Sequence, residues 1–143
     1  WRTDGTAAGT ALVTNIAPGP ASALISLGPT TADGRVLFAA TSPTTGRDLW
    51  STDGTNTQLL VDDVMGNRVQ VLGAIGSQWL FTIGASTSGS ADTSRLYRTG
   101  GTTATTSLQN NLVFGAVTSG AIVNSYNSLL GIALFTAGAS IYR

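Results

Sequence analysis

The chain of 143 residues contains no cysteine, histidine, lysine or glutamate. Each absence removes a class of chemistry. Without cysteine there is no disulfide, no thiolate metal site and no thiol nucleophile. Without histidine there is no imidazole base or imidazole metal ligand, and a Ser-His-Asp triad is impossible within the chain. Without lysine the glycine-rich stretches cannot form a P-loop. Losing glutamate and lysine together also removes two good helix formers from exposed faces. Charge is scarce, at 10% of residues against about 25% in an ordinary soluble domain. The seven basic residues are all Arg, the seven acidic ones all Asp, and the net charge is zero. No cluster of Arg provides the basic patch that a nucleic-acid surface needs. Few charges and no net charge also give copies of the chain little mutual repulsion. The longest clean apolar run, "LLGIALF" (129–135), is far shorter than the roughly 20 residues of a membrane-spanning helix. No Asn-x-Ser/Thr sequon and no GxSxG elbow occur.

What the chain does contain is a recurring phrase. It opens "WRTDGTAAGT", reads "WSTDGTNTQL" from residue 50 and "YRTGGTTATT" from residue 97. The leading aromatics Trp1, Trp50, Tyr97 and Tyr142 are spaced by 49, 47 and 45 residues. An apolar-rich run follows each phrase: "TALVTNI" (10–16), "TQLLVDDV" (57–64) and "TSLQNNL" (106–112). Each of these runs ends in Asn or Asp before an aliphatic residue, at Asn15, Asp63 and Asn111. A Leu-Phe pair precedes the next aromatic, at Leu37-Phe38, Leu80-Phe81 and Leu134-Phe135. Before that pair lies a third run: "ALISLG" (23–28), "VQVLGAIG" (69–76) and "VFGAVTSGAIV" (113–123).

Each period therefore holds four short strand candidates bounded by Gly, Pro, Asn, Asp, Ser and Thr. All four prolines, at 18, 20, 29 and 43, fall outside these candidates. Four short strands every 45 to 50 residues is the pattern of a propeller blade. The expected fold is all-β, with β-propeller-type blades of four antiparallel strands and about three blades' worth of chain. The Asp-Gly step suits a tight hairpin, because such a turn needs positive φ, so 47–50 and 58–61 should pair within one blade. The order is then inner strand, Leu-Phe strand, aromatic strand, outer strand. In that phase residues 1–143 form one array. Residues 1–16 are the outer strand of a shared blade, 22–64 and 69–112 are blades, and 113–143 are three strands of a blade completed by another N-terminal strand. The chain starts with Trp rather than Met, and reads as cut from a longer precursor or as a segment of one.

The phrases "DLWSTDGT" (48–55) and "WRTDGTAAGTALVTNIAPGPAS" (1–22) resemble the bacterial ELWxxDGTxxGT repeat proteins. In the third copy, "RLYRTGGTTATT" (95–106), Gly100 stands where the phrase has Asp, and Asp48 stands where the family has Glu. The resemblance implies secreted or cell-surface propeller-like repeats and no defined activity.

Candidate chemistry is sparse. Asp4 and Asp53 could each offer one carboxylate to calcium, but the third turn offers none, and calcium takes six to eight oxygens. The expected role is local: Asp accepts backbone hydrogen bonds while Gly5, Gly54 and Gly101 take positive φ, with Gly100 in the Asp place. Asp62 and Asp63, the only adjacent carboxylates, should point to opposite sides of a strand. Trp1, Trp50, Tyr97 and Tyr142 either pack between blades, the favoured reading, or stack on sugars. Trp79 falls outside this series. The polar stretch "ASTSGSADTSR" (85–95) reads as a surface loop. These observations give a non-enzymatic extracellular or cell-surface module with no cofactor, no catalytic residue and no metal site. It self-associates by blade completion, as a dimer closing a six-bladed ring or as a filament, unless further repeats of a longer precursor fill the gap. The rival reading is a carbohydrate-binding propeller, with a glycan partner.

Overall fold

The computed structural model describes residues 1–20, 22–23, 25–62, 68–85, 91–116, 126–129, 132–137 and 140–142. Among these residues three antiparallel sheets form, each from strands consecutive in the chain. The first holds β1 (Ser26–Thr30), β2 (Val36–Ser42), β3 (Gly46–Thr52) and β4 (Thr57–Val61). The second holds β5 (Arg68–Ile75), β6 (Gln78–Ala85), β7 (Ala91–Thr99) and β8 (Ser107–Ala116), with a 3-10 turn at Thr103–Thr105 between the last two. The third holds β9 (Tyr126–Leu129), β10 (Ile132–Ala137) and β11 (Ser140–Tyr142). The chain is thus all-β. Among the described residues no helix is long and apolar enough to cross a membrane.

One core joins the first two sheets. Leu37, Leu49 and Leu60 from the first meet Phe81 and Ile83 from the second, with Val61, Val69, Val71, Trp79 and Tyr97 packed around them. Trp79, outside the aromatic series in sequence, is therefore part of the packing. Period-two alternation explains which residues meet, since successive side chains of a strand face opposite sides. Leu37 and Leu49 share the side of the first sheet that faces the second. Gly28 is on that side too: a Cβ there would lie 3.7 Å from Val71 Cγ2.

Four expectations need correction. The run 10–16 is not a strand; its only pairing is an isolated bridge between Arg2 and Ala11. One bridge falls short of a strand because the ladder needs a partner along its length, and residues 1–3 supply only the end of one. Residues 113–116 are not an inner strand but the end of β8, where Val113 pairs with Thr93 and Ala116 with Ala91; the inner strand of the third sheet is β9. Much of the supposed loop 85–95 is strand, since β6 runs to Ala85 and β7 starts at Ala91. Pro29 lies inside β1. It is tolerated because β1 is an edge strand of its sheet and its register shifts between Leu27 and Thr30, the setting in which a missing N–H costs no ladder bond. The Asp63 strand-end position lies outside the described residues.

Candidate functional site

The phrase and the Leu-Phe pair meet across the strands. Phe38 pairs with Trp50, Phe81 with Tyr97 and Phe135 with Tyr142. The row continues inward through Leu27, Val71 and Tyr126, which pair with those three phenylalanines. It continues outward through Leu59 opposite Trp50 and Leu108 opposite Tyr97. Bulges recur too, at Leu49/Trp50 and at Leu96/Tyr97. Two rows thus have four members, and the third has three. The hairpin register recurs once more at the other end of the chain. Arg2 pairs with Ala11 as Ser51 pairs with Gln58 and Arg98 with Ser107. Both backbone bonds of the Arg2–Ala11 pair are made, at 2.9 and 3.0 Å.

The turn inside each hairpin is built by short polar side chains. Thr3, Thr52 and Thr99 each accept a hydrogen bond at Oγ1 from the glycine two residues on, Gly5 and Gly54 at 3.0 Å and Gly101 at 2.9 Å. Those glycines have φ of 93°, 85° and 101°, a region that a Cβ disfavours. Asp4 Oδ1 accepts the Thr6 N–H at 2.9 Å and the Thr6 hydroxyl at 2.8 Å. Asp53 Oδ1 accepts the N–H groups of Thr55 at 2.9 Å and Asn56 at 2.7 Å. The loop between β3 and β4 is four residues, Asp53–Asn56, closed by the Asp53 N–H on the Asn56 carbonyl at 3.2 Å. In the third turn Gly100 brings no carboxylate. The Thr105 hydroxyl stands in, accepting the N–H groups of Gly100 and Thr102, both at 3.2 Å.

The turns are tied to their surroundings. Arg35 Nη2 donates to Asp53 Oδ2 at 3.2 Å, and Arg35 Nε lies 3.4 Å from Asp33 Oδ2. The Asn56 and Thr55 backbone donors, with Arg35 as a lesser contributor, lower the Asp53 carboxyl from 3.8 to about 2. Asp4 is lowered chiefly by Thr6, and Asp33 chiefly by the Thr31 hydroxyl. Among the described residues no three of His, Cys, Asp or Glu gather as metal ligands. The chemistry on view is backbone capping.

The same turn also locks the sheets together. The Gly101 carbonyl accepts the Ser51 hydroxyl at 2.7 Å and the Gln58 side-chain amide at 3.2 Å. A Cβ on Gly101 would lie 3.1 Å from Thr31 and 3.3 Å from Arg35 Cδ, close enough that those side chains would have to shift, and the φ of 101° disfavours any Cβ there. One repeat earlier, Gly54 faces Arg2, whose Cδ is 3.9 Å from an ideal Cβ. Arg2 holds the register place of Ser51. The N-terminal hairpin therefore touches the first sheet at the register place through which the first sheet bonds to the second.

No family model, curated protein or solved structure matches this chain. The site's meaning thus rests on its own geometry.

The aromatics divide. Tyr97 stacks on Phe81 with ring centroids 5.3 Å apart. Trp50 is partly buried, and its indole N–H is fully enclosed, which suits packing better than an open sugar platform. Trp1 departs from the packing expectation at 82% exposed. Its neighbour Arg2, with Thr3, Asp4 and Gly9, lines an open hollow of about 320 Å³. Of Tyr142 the structure describes the backbone register. Sequence reasoning missed Ser51, Gln58 and Thr31 as the inter-sheet lock. Their residue types do not recur in the other copies of the phrase, where Arg2 and Arg98 stand in the place of Ser51, and Ala11 and Ser107 in that of Gln58, so the sequence carried no signal for them.

Proposed function

We propose that the chain is a non-enzymatic extracellular or cell-surface structural module of the ELWxxDGTxxGT repeat type. Its sheets act as propeller blades, and copies join by blade completion into a closed ring or a filament. One observation supports this reading: two cross-strand rows have four members, the third has three among the described residues, and the same hairpin register recurs at Arg2–Ala11. An edge strand with unpaired backbone groups is a template for another strand. In this reading residues of one copy's N-terminal hairpin extend the sheet that ends at β11 of another. Low charge leaves that contact unopposed. Removing residues 1–16 should abolish the assembly; assembly unchanged by that deletion would contradict the reading.

A second reading has one observation in its favour. Trp1 is exposed next to Arg2, which with Thr3, Asp4 and Gly9 lines an open hollow, as a sugar-stacking aromatic would be. A glycan array decides it: Trp1-dependent glycan binding by an unassembled protein supports a lectin, and no binding leaves the assembly role.

A further inference from the structure

We infer that the outer side of the first sheet, at Leu27 of β1, is a second docking face, occupied by β9 of the same partner copy whose sheet the N-terminal hairpin completes. This rests on the blade-completion reading and names the surface that goes with it. The template is the contact between the first two sheets. There, Gly28 of β1 faces Val71 of β5, and Phe81, beside Val71 in the row, is fully buried. Leu27 holds in the first sheet the row position that Val71 holds in the second. Alternation turns it away from Gly28, to the opposite side of the sheet. No sheet lies there among the described residues, and Leu27 is 77% exposed.

The outer part of that same side has a neighbour in Arg2, whose Cδ lies 3.9 Å from an ideal Cβ on Gly54; Arg2 holds the register place of Ser51, which donates to the Gly101 carbonyl between the first two sheets. Among the described residues no inner part of a sheet lies there. The C-terminal sheet has this part: an inner strand β9, then β10 and β11, with the row Tyr126–Phe135–Tyr142 in register and its outer member absent among the described residues. A second copy that pairs β11 with the N-terminal hairpin would therefore bring β9 to β1. By the same register, Asn127 corresponds to Gly28 and is the residue placed nearest to Leu27 of the first copy. An exposed leucine in a low-charge surface would then be covered by the same packing that covers Val71.

The test uses the full chain, which has no cysteine of its own. Leu27→Cys and Asn127→Cys proteins are mixed under oxidising conditions. The account predicts a disulfide-linked heterodimer that forms faster than either protein links to itself. Leu27→Asp should weaken association at least about tenfold with an unchanged circular-dichroism spectrum, whereas Leu108→Asp, at a 47% exposed leucine of β8 off this face, should not. If the parent and Leu27→Asp assemble alike and no 27–127 cross-link forms, the docking face is wrong while blade completion survives. A parent that never assembles overturns both.

Discussion

Asp53 shows how much structure a single exposed carboxylate can organise. It caps two backbone N–H groups and reaches Arg35, so the β3–β4 loop and the turn before β2 are held together. Its folded pKa, about 2, lies below the 3.8 of a free carboxyl. A depressed pKa contributes stability that is present above the free value and lost as the pH falls through the folded one. The Asp53→Ala protein should therefore melt below the parent at neutral pH, and the gap should close on acidification from pH ~4 to ~2. A gap that stays constant to the acid end would contradict the capping role. Calcium should leave the parent's melting temperature unchanged, because backbone donors and Arg35 already use both carboxylate oxygens. A calcium-dependent rise that Asp53→Ala removes would point to a metal loop. Gly101→Ala has two costs, a left-handed φ of 101° and a Cβ 3.1 Å from Thr31. It should destabilise by about 1–3 kcal/mol. Gly100→Ala meets Thr105 at a similar 3.1 Å but keeps an ordinary φ, so it should cost less; equal costs in urea denaturation would show that the left-handed φ of Gly101 adds nothing.

At the scale of the strand, the row across each sheet is the repeating unit. Phe81 is fully buried and stacked on Tyr97, so Phe81→Ala should cost about 3–5 kcal/mol. Trp50→Ala removes a ring that is only partly buried and should cost less. A denaturant series showing the reverse order would move the core away from the interface of the first two sheets. The strands easiest to read were those whose apolar residues face a neighbouring sheet. Val36–Ser42 contains the Leu37-Phe38 pair, and Thr57–Val61 and Arg68–Ile75 almost coincide with the runs 58–61 and 69–76. Ala91–Arg95 was illegible because backbone pairing needs no apolar side chain. The ladder to β6 and β8 continues through Thr93 and Ser94, residues that in sequence look like loop. The run 10–16 failed in the opposite way. It has strand composition, but strand formation depends on a partner, and composition does not reveal one. The glycine turn was legible as a turn, because Asp-Gly carries its own φ requirement. Its second role, accepting Ser51 and Gln58 from another sheet, is tertiary and left no local mark.

At the scale of the molecule, the N-terminal hairpin touches the first sheet with Arg2 beside Gly54, the register place from which Ser51 bonds to Gly101 between the first two sheets. At one end of the array a hairpin has an exposed Trp1 and Leu12, at 82% and 53%, where Trp50 and Leu59 are partly covered. The third sheet has three strands among the described residues; in the proposed reading such a hairpin from another copy adds a fourth, giving a closed ring or an open filament depending on whether the rotation closes. The most direct test is the mass of the intact chain in solution at micromolar concentration, by sedimentation equilibrium. Blade completion predicts a dimer or a higher multiple of 14.5 kDa that is lost when residues 1–16 are removed. A stable, monodisperse 14.5 kDa monomer, with or without those residues, would contradict it.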